Sequence, residues 1–409
     1  MEPRPRNNVA VMKITAVVVH ILRHELPAGQ AFAYSQGWYR SRAAMLVELR
    51  ADNGLRGWGE AFGPPEATAA VVQHVYAPLL LGRDPLAIDA LWDELYNRLR
   101  DHGQTGIPIE ALSAVDIALH DLAGRALGVP VSTLLGGARR SRLRAYATGL
   151  YHRGAGQGSD WPEQSAALAE EAAGYIAQGF RAVKLKVGFG LDEDVRNARA
   201  VRRAIGTEPL LMIDANHAYD AAVATRLGLR LAAEGLDICW FEEPVPPEDL
   251  EGYLQVKRSL GPHGIAIAGG EATFTRYGFR ELIARRAVDI AQPDVAACGG
   301  LSEARKIAVL ASAWGVRCLP HVWGSAVSVA AALHFAAALP DTPPALKPVE
   351  PLFELDRTPN LFREELAYPP VTRLDAEGYL HVPSGPGLGI EVDENLIARY
   401  SVARWTCTG

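Results

Sequence analysis

From Leu143 onward the chain repeats one grammar: a short β-branched or apolar run, a polar or glycine-rich turn, then a stretch with helical spacing. The runs are LRAYATG, FRAVKLKV, LLMIDAN, ICWFEEP, IAIAGGE, VDIAQPD, VRCLPHVW and PLFELD, eight in all. Strand and helix in alternation demand parallel pairing, and eight units is the number that closes a barrel. An α/β fold of the (β/α)8, TIM-barrel type is therefore expected. The late part of seven of these runs carries a polar residue: Lys186, Asp214, Glu242, Glu271, Asp294, His321 and Glu354. They recur at intervals of roughly 23 to 33 residues, one strand-helix unit each. The C-terminal strand ends of such a barrel open on one mouth, so all seven side chains are expected around a single pocket.

Ahead of the barrel, MKITAVVVHIL and AMLVELRADNGLRGWGE alternate apolar and polar residues around an Asn53-Gly54 turn, which predicts a small antiparallel sheet. Helical spacing follows over 67–80, 86–100 and 109–127, the last ending at Gly128 with Pro130 beyond. The expected organisation is an α+β capping domain over 1–140, a barrel over 141–374, and a C-terminal segment over 375–409 returning to the cap. Residues 1–11 carry basic residues but no apolar core and read as a flexible tail, with Met12 as an alternative start.

Lys and Arg number 41 against 47 Asp and Glu, a formal charge of −6, with no extended basic cluster. This argues against a nucleic-acid or membrane partner and leaves a small molecule. No 18-residue run is apolar enough for a transmembrane helix. Cys239, Cys298, Cys318 and Cys407 lack CxxC spacing and read as free thiols, which fits a reducing, cytoplasmic setting.

Asp214, Glu242 and Glu271 would end three consecutive strands. Three carboxylates in one pocket repel unless a cation sits among them, and oxygen ligands suit Mg²⁺ first and Mn²⁺ second. Glu243 alternates to the other side of its strand and reads as support. Lys184 and Lys186, two apart in VKLKV, face the same way, so each is expected to lower the pKa of the other, making a lysine base. His321 and Asp294 end adjacent strands, where a carboxylate fixes an imidazole tautomer and stabilises its protonated form. A metal gripping a substrate carboxylate, with a lysine on one side and a histidine on the other, is a device for removing the α proton. Glu354 is expected either to hydrogen-bond the enolate as a carboxyl of raised pKa or to pair with Arg357.

KLK, DAN at 214–216, FEEP at 241–244, GGE at 269–271, QPD at 292–294, CGG at 298–300 and PHVWG at 320–324 resemble the enolase superfamily, mandelate racemase subgroup. The resemblance runs from MKITAV through GWGE, SAVDIAL and LLGG to PSGPGLGIEV, nearly the whole chain. It implies an enolase-like modified barrel with its cap. It also implies Mg²⁺ on Asp214, Glu242 and Glu271, Lys186 and His321 as acid/base pair, Lys184 on the bound carboxylate, Asp294 orienting His321, and Glu354 at the enolate. Within the subgroup, RAYATGLY, MIDANHAYD, FEEPVPPE and PHVWGSAV look most like D-galactarolactone cycloisomerases, and 3,6-anhydro-galactonate cycloisomerases share several segments. That likeness implies ring-opening β-elimination of a hexaro-1,4-lactone. A dehydratase acting on a linear aldonate or aldarate, or a racemase or epimerase, would use the same residues. GGEATFTRYG departs from the GGETWHGRYG associated with galactarolactone cycloisomerases, and His120 stands where relatives usually have Trp. In this superfamily the cap closes the mouth, so Tyr34, Gln36, Trp38, Arg40 and Phe62 are candidate substrate contacts, with Asn216, His217, Trp323 and Thr148 from the barrel. Family members commonly form homo-oligomers, dimers or octamers.

Overall fold

The computed structural model describes residues 12–27, 29–154 and 164–409. The expected tail at 1–11 lies outside them. The cap begins with β1 (Ile14–Glu25), the hairpin β2 (Phe32–Tyr34) and β3 (Gly37–Tyr39), then β4 (Ser41–Ala51) and β5 (Arg56–Ala61). Helices at Pro65–Val71, Ile88–Leu99 and Ile107–Leu127 follow, and Gly128 ends the last in the left-handed conformation that glycine takes without penalty.

The barrel strands are β6 (Arg142–Thr148), followed by the short β7 (His152–Arg153), which pairs with β2, then β8 (Ala182–Lys186), β9 (Leu210–Asp214), β10 (Ile238–Glu242), β11 (Ala266–Gly269), β12 (Ile290–Ala291), β13 (Arg317–Cys318) and β14 (Leu352–Asp356). Seven of the eight curl in parallel sequence order, and β14 returns to pair with β6. This is a modified (β/α) barrel, as the strand spacing predicts. Between β13 and β14 the described residues show no strand ladder; there the Val322 amide donates to Glu354 Oε2 at 3.1 Å. Full burial on both faces, as in Ala182–Lys186, is what a strand enclosed by side chains inside and helices outside requires.

The chain ends with β15 (Ala367–Tyr368), β16 (Tyr379–His381), β17 (Glu391–Val392) and β18 (Ser401–Thr408). β16 pairs antiparallel with barrel strand β6, and β18 pairs antiparallel with β1, giving a cap sheet in the order β18-β1-β4-β5. Among the described residues, no helix is long and apolar enough to cross a membrane.

Cap and barrel are joined by buried polar contacts. Glu60 on β5 accepts from the Ser325 and Ser328 amides at 2.8 and 3.0 Å, capping the helix Ala326–Ala338 from the other domain. Trp92 Nε1 donates to Gly299 O at 2.6 Å, and Ser302 bonds Asp116. Within the cap, β5 lies directly on the helix Ile107–Leu127: a Cβ on Gly59 would sit 1.9 Å from Ala114 O. Backbone cannot yield as a side-chain end can. Gly59→Ala should therefore cost about 1–3 kcal/mol, read from the urea midpoint, whereas an unchanged midpoint would mean that the sheet and helix part freely.

Candidate active site

Strand register assembles the site. The parallel ladder pairs Lys186 with Asp214 and Asp214 with Glu242, and an isolated parallel bridge pairs Asp294 with His321. Residues about one unit apart in sequence thus become lateral neighbours at one mouth. After β9 the chain turns through Asn216 and His217 at φ of 43° and 55°, left-handed values that non-glycine residues adopt at a cost, and both side chains reach the pocket.

The mouth is a chamber of about 240 Å³. Lys186, Asn216, His217, Glu271, His321 and Trp323 come from the barrel; Tyr34, Phe62 and Glu110 come from the cap. The tip of the β2–β3 hairpin is fastened over it. Ser35 Oγ donates to Ala215 O at 2.7 Å and Gln36 Nε2 to Asn216 O at 3.0 Å, so Gln36 holds the turn without lining the chamber.

Trp38 and Arg40, expected as substrate contacts, stand off the chamber wall. Arg40 is exposed and stands against Trp38, its guanidinium 6.0 Å from the ring, and neither forms the wall. Strand alternation turns Tyr39 inward instead, 4.7 Å from the Trp323 ring. Thr148 is buried behind the chamber, where its hydroxyl donates to Glu354.

Lys186 Nζ lies 2.5 Å from Asp214 Oδ2 and 2.9 Å from Asn216 Oδ1. Lys184 Nζ contacts Glu242, lies 2.8 Å from Glu354 Oε1 and 3.6 Å from Asp214. Lys184 does lower Lys186 as expected, but these contacts decide the net direction. Burial would lower both pKa values, but the surrounding carboxylates outweigh burial and mutual repulsion and raise them. Glu354 is corrected likewise. Burial would raise it, but Lys184 and His321 pull it down to about 2, so it is an ionised acceptor, and its partners are Lys184, Thr148 and the Val322 amide rather than Arg357.

His321 Nδ1 lies 2.6 Å from Asp294 Oδ2, and its Nε2 lies 3.4 Å from Glu271 Oε2. Burial works against its charge, yet Glu271 and Asp294 lift its pKa to about 10. Glu243 is buried beneath His217 and meets its Nδ1 at 3.1 Å, which holds that ring toward the chamber. Burial and the Glu271 charge push Glu243 up to about 7.

Asp214, Glu242 and Glu271 each offer an oxygen within 4.8 Å of the others. Glu271 Oε2 is buried with no hydrogen-bond partner. An all-oxygen, three-carboxylate set with an unsatisfied lone pair fits a hard divalent cation. Gln292 Nε2 and Trp240 Nε1 donate to Glu242 Oε2 at 2.8 and 3.1 Å, fixing that carboxylate from behind.

Residues 13–136 match the mandelate racemase / muconate lactonizing enzyme N-terminal domain, and residues 167–396 match the enolase C-terminal domain-like family. The chain belongs to the mandelate racemase subgroup of the enolase superfamily. It is 46% identical to the D-galactarolactone cycloisomerase of Agrobacterium fabrum, over 95% of this chain and 99% of that one. It is 34% identical to the arabinonate dehydratase of Saccharolobus solfataricus, over 87% of this chain and 90% of the relative. The crystal structure of the 3,6-anhydro-D-galactonate cycloisomerase from Zobellia galactanivorans superposes with a TM-score of 0.84 at 38% identity, covering 96% of this chain and all of that one. The chain is thus an isomerase or lyase of the mandelate racemase subgroup, with acid-sugar chemistry.

Sequence reading passed over several wall residues of this mandelate racemase-subgroup site, among them Tyr39, Tyr151 and Glu110. Tyr39 adjoins the expected Trp38 in a strand of only three residues. Tyr151, whose ring lies 5.2 Å from Lys186 Nζ, follows β6 in a loop without periodicity, and Glu110 sits inside a nearly all-buried helix where nothing marks it out. Burial, with the Asp294 charge, pushes Glu110 up to about 7. A carboxyl whose folded pKa exceeds its unfolded value favours folding at low pH, and that contribution is lost as pH rises from about 4.5 through about 7. Glu110→Gln should therefore lose less stability than the parent between pH 5 and pH 8, by on the order of 1 kcal/mol. Equal losses in urea titrations at the two pH values would refute the assignment.

Proposed function

We propose that the protein opens a hexaro-1,4-lactone, D-galactarolactone, by β-elimination to a 3-deoxy-2-keto-hexarate. The observation that carries this reading is the pairing of Lys186 and His321 across one small chamber beside three clustered carboxylates, in a chain 46% identical to a D-galactarolactone cycloisomerase over 95% of its length. A compact chamber walled by Tyr34, Tyr39, Tyr151, Phe62 and Trp323 suits a ring acid, since aromatic faces pack on the C–H faces of a sugar ring.

Asp214, Glu242 and Glu271 would hold Mg²⁺, which when bound would offset the negative charge that develops as the α proton leaves the substrate acid. Lys184, fully buried against Glu242 and Glu354, adds a fixed cation behind the carboxylate cluster. Lys186 takes the α proton, its amine free to do so where a bound cation would neutralise the Asp214 and Glu271 carboxylates that otherwise raise its pKa. His321 has a carboxylate of its own, Asp294, outside the metal cluster, so it stays an imidazolium and acts as the acid. The α C–H bond and the β C–O bond break, a C=C bond forms, and the lactone carboxylate departs within the same molecule. The resulting enol takes a proton at the β carbon and becomes the keto acid, so the net change is an isomerisation. Glu354 is held ionised by Lys184 and positions that lysine.

Likeness to arabinonate dehydratase supports a second reading with the same residues, in which hydroxide leaves from a linear acid. Proton NMR in D₂O with Mg²⁺ separates them. Conversion of D-galactaro-1,4-lactone to a deuterated 3-deoxy-2-keto acid is the expected result. An inert lactone beside elimination from a linear aldonate or aldarate would replace this reading with the dehydratase.

A further inference from the structure

The opposite end of the barrel holds a second cavity, of about 330 Å³. Its wall includes Leu210, Arg317 and Leu352, which begin β9, β13 and β14, so it opens at the N-terminal mouth, away from the catalytic strand ends. That end of a (β/α)8 barrel is ordinarily packed for stability, and an open volume of this size falls within the range of small-molecule sites.

The floor is carbon and sulfur, with Trp240, Leu319, Cys239 and Cys318 facing it. The rim is cationic. Arg140 is engaged by Asp341 and two carbonyls, and Arg144 by Glu350 and Tyr379. Arg181 and Arg317 have no hydrogen bond or ion pair from their side chains among the described residues, and the remaining rim carboxylate is Glu208. Two uncommitted guanidinium groups over an apolar floor match one chemistry: a carboxylate on a flat hydrocarbon body, its charge on the rim and its body on Trp240. An inorganic anion would leave the floor wet, and a neutral hydrocarbon would leave the arginines unanswered.

We propose that this N-terminal mouth is a binding site for a small aromatic monocarboxylate. Trp240 is its floor and also donates to Glu242 Oε2 from its other edge, so a molecule seated there lies one side chain from the catalytic carboxylates.

The test is calorimetric titration of the full chain with 2-naphthoate, with 2-naphthamide as the uncharged probe of the same shape. One naphthoate per chain is expected, with the amide at least tenfold weaker. Arg181 is exposed and Arg317 half-buried, so an Arg181→Glu/Arg317→Glu variant keeps the fold, checked by circular dichroism. Binding should fall at least tenfold in that variant and persist in Lys186→Ala, whose change lies in the catalytic chamber. No naphthoate heat at millimolar concentration, equal affinity for the amide, or undiminished binding in the double arginine variant would each overturn the proposal.

Discussion

Lys186→Ala should lower turnover by about 10²–10⁴-fold, the typical worth of a positioned general base, with the fold intact. Among the described residues that line the chamber the lysine is the one amine, its Nζ meeting Asp214 and Asn216, so its removal leaves the chamber without an amine base. His321→Asn should lower turnover comparably but differently. If Lys186 takes the proton and His321 completes the elimination, the asparagine variant still exchanges the α hydrogen for deuterium while releasing no keto acid, and Lys186→Ala does neither. The two assays use one NMR tube. Exchange surviving in Lys186→Ala and absent in His321→Asn would reverse the two roles, and near-native rates in both would remove the pair altogether.

Dialysis against excess chelator should abolish turnover, and added Mg²⁺ should restore it. Asp214, Glu242 and Glu271 stand within 4.8 Å of one another, and charge stabilisation of the developing enediolate by a cation is worth several kcal/mol. A second readout is independent of catalysis. A cation that binds only the folded chain stabilises it by about 2.7 kcal/mol at 100 times its Kd, so the unfolding midpoint should rise with Mg²⁺ and stop rising in Glu271→Gln. Full activity in chelator, with a midpoint indifferent to Mg²⁺, would reject a metal on these carboxylates.

The barrel was legible because its eight strands are short, apolar and evenly spaced, and because a parallel ladder converts that spacing into lateral contact: Lys186 beside Asp214 beside Glu242 is register alone. The cap contacts were less legible. Tyr39 and Trp38 differ by one position, and in a three-residue strand the hydrophobic pattern is too short to set which one faces inward. Charge states were least legible. Two lysines read in isolation repel, but the carboxylates that raise them arrive from β9, β10 and β14, and only the folded chain shows that they outnumber the ammonium groups.

The pairing of β18 with β1 sets the order in which the molecule can be built. The first strand of the cap waits for Ser401–Thr408 before its sheet is complete, while every residue of the barrel has by then left the ribosome. Contacts separated by nearly the whole chain are the slowest to close. The barrel is thus free to form during synthesis, and the cap sheet β18-β1-β4-β5 receives its edge strand last. Until Ser401–Thr408 emerges, β1 presents an unpaired row of N–H and C=O groups along its outer edge, the kind of edge on which another chain can pair.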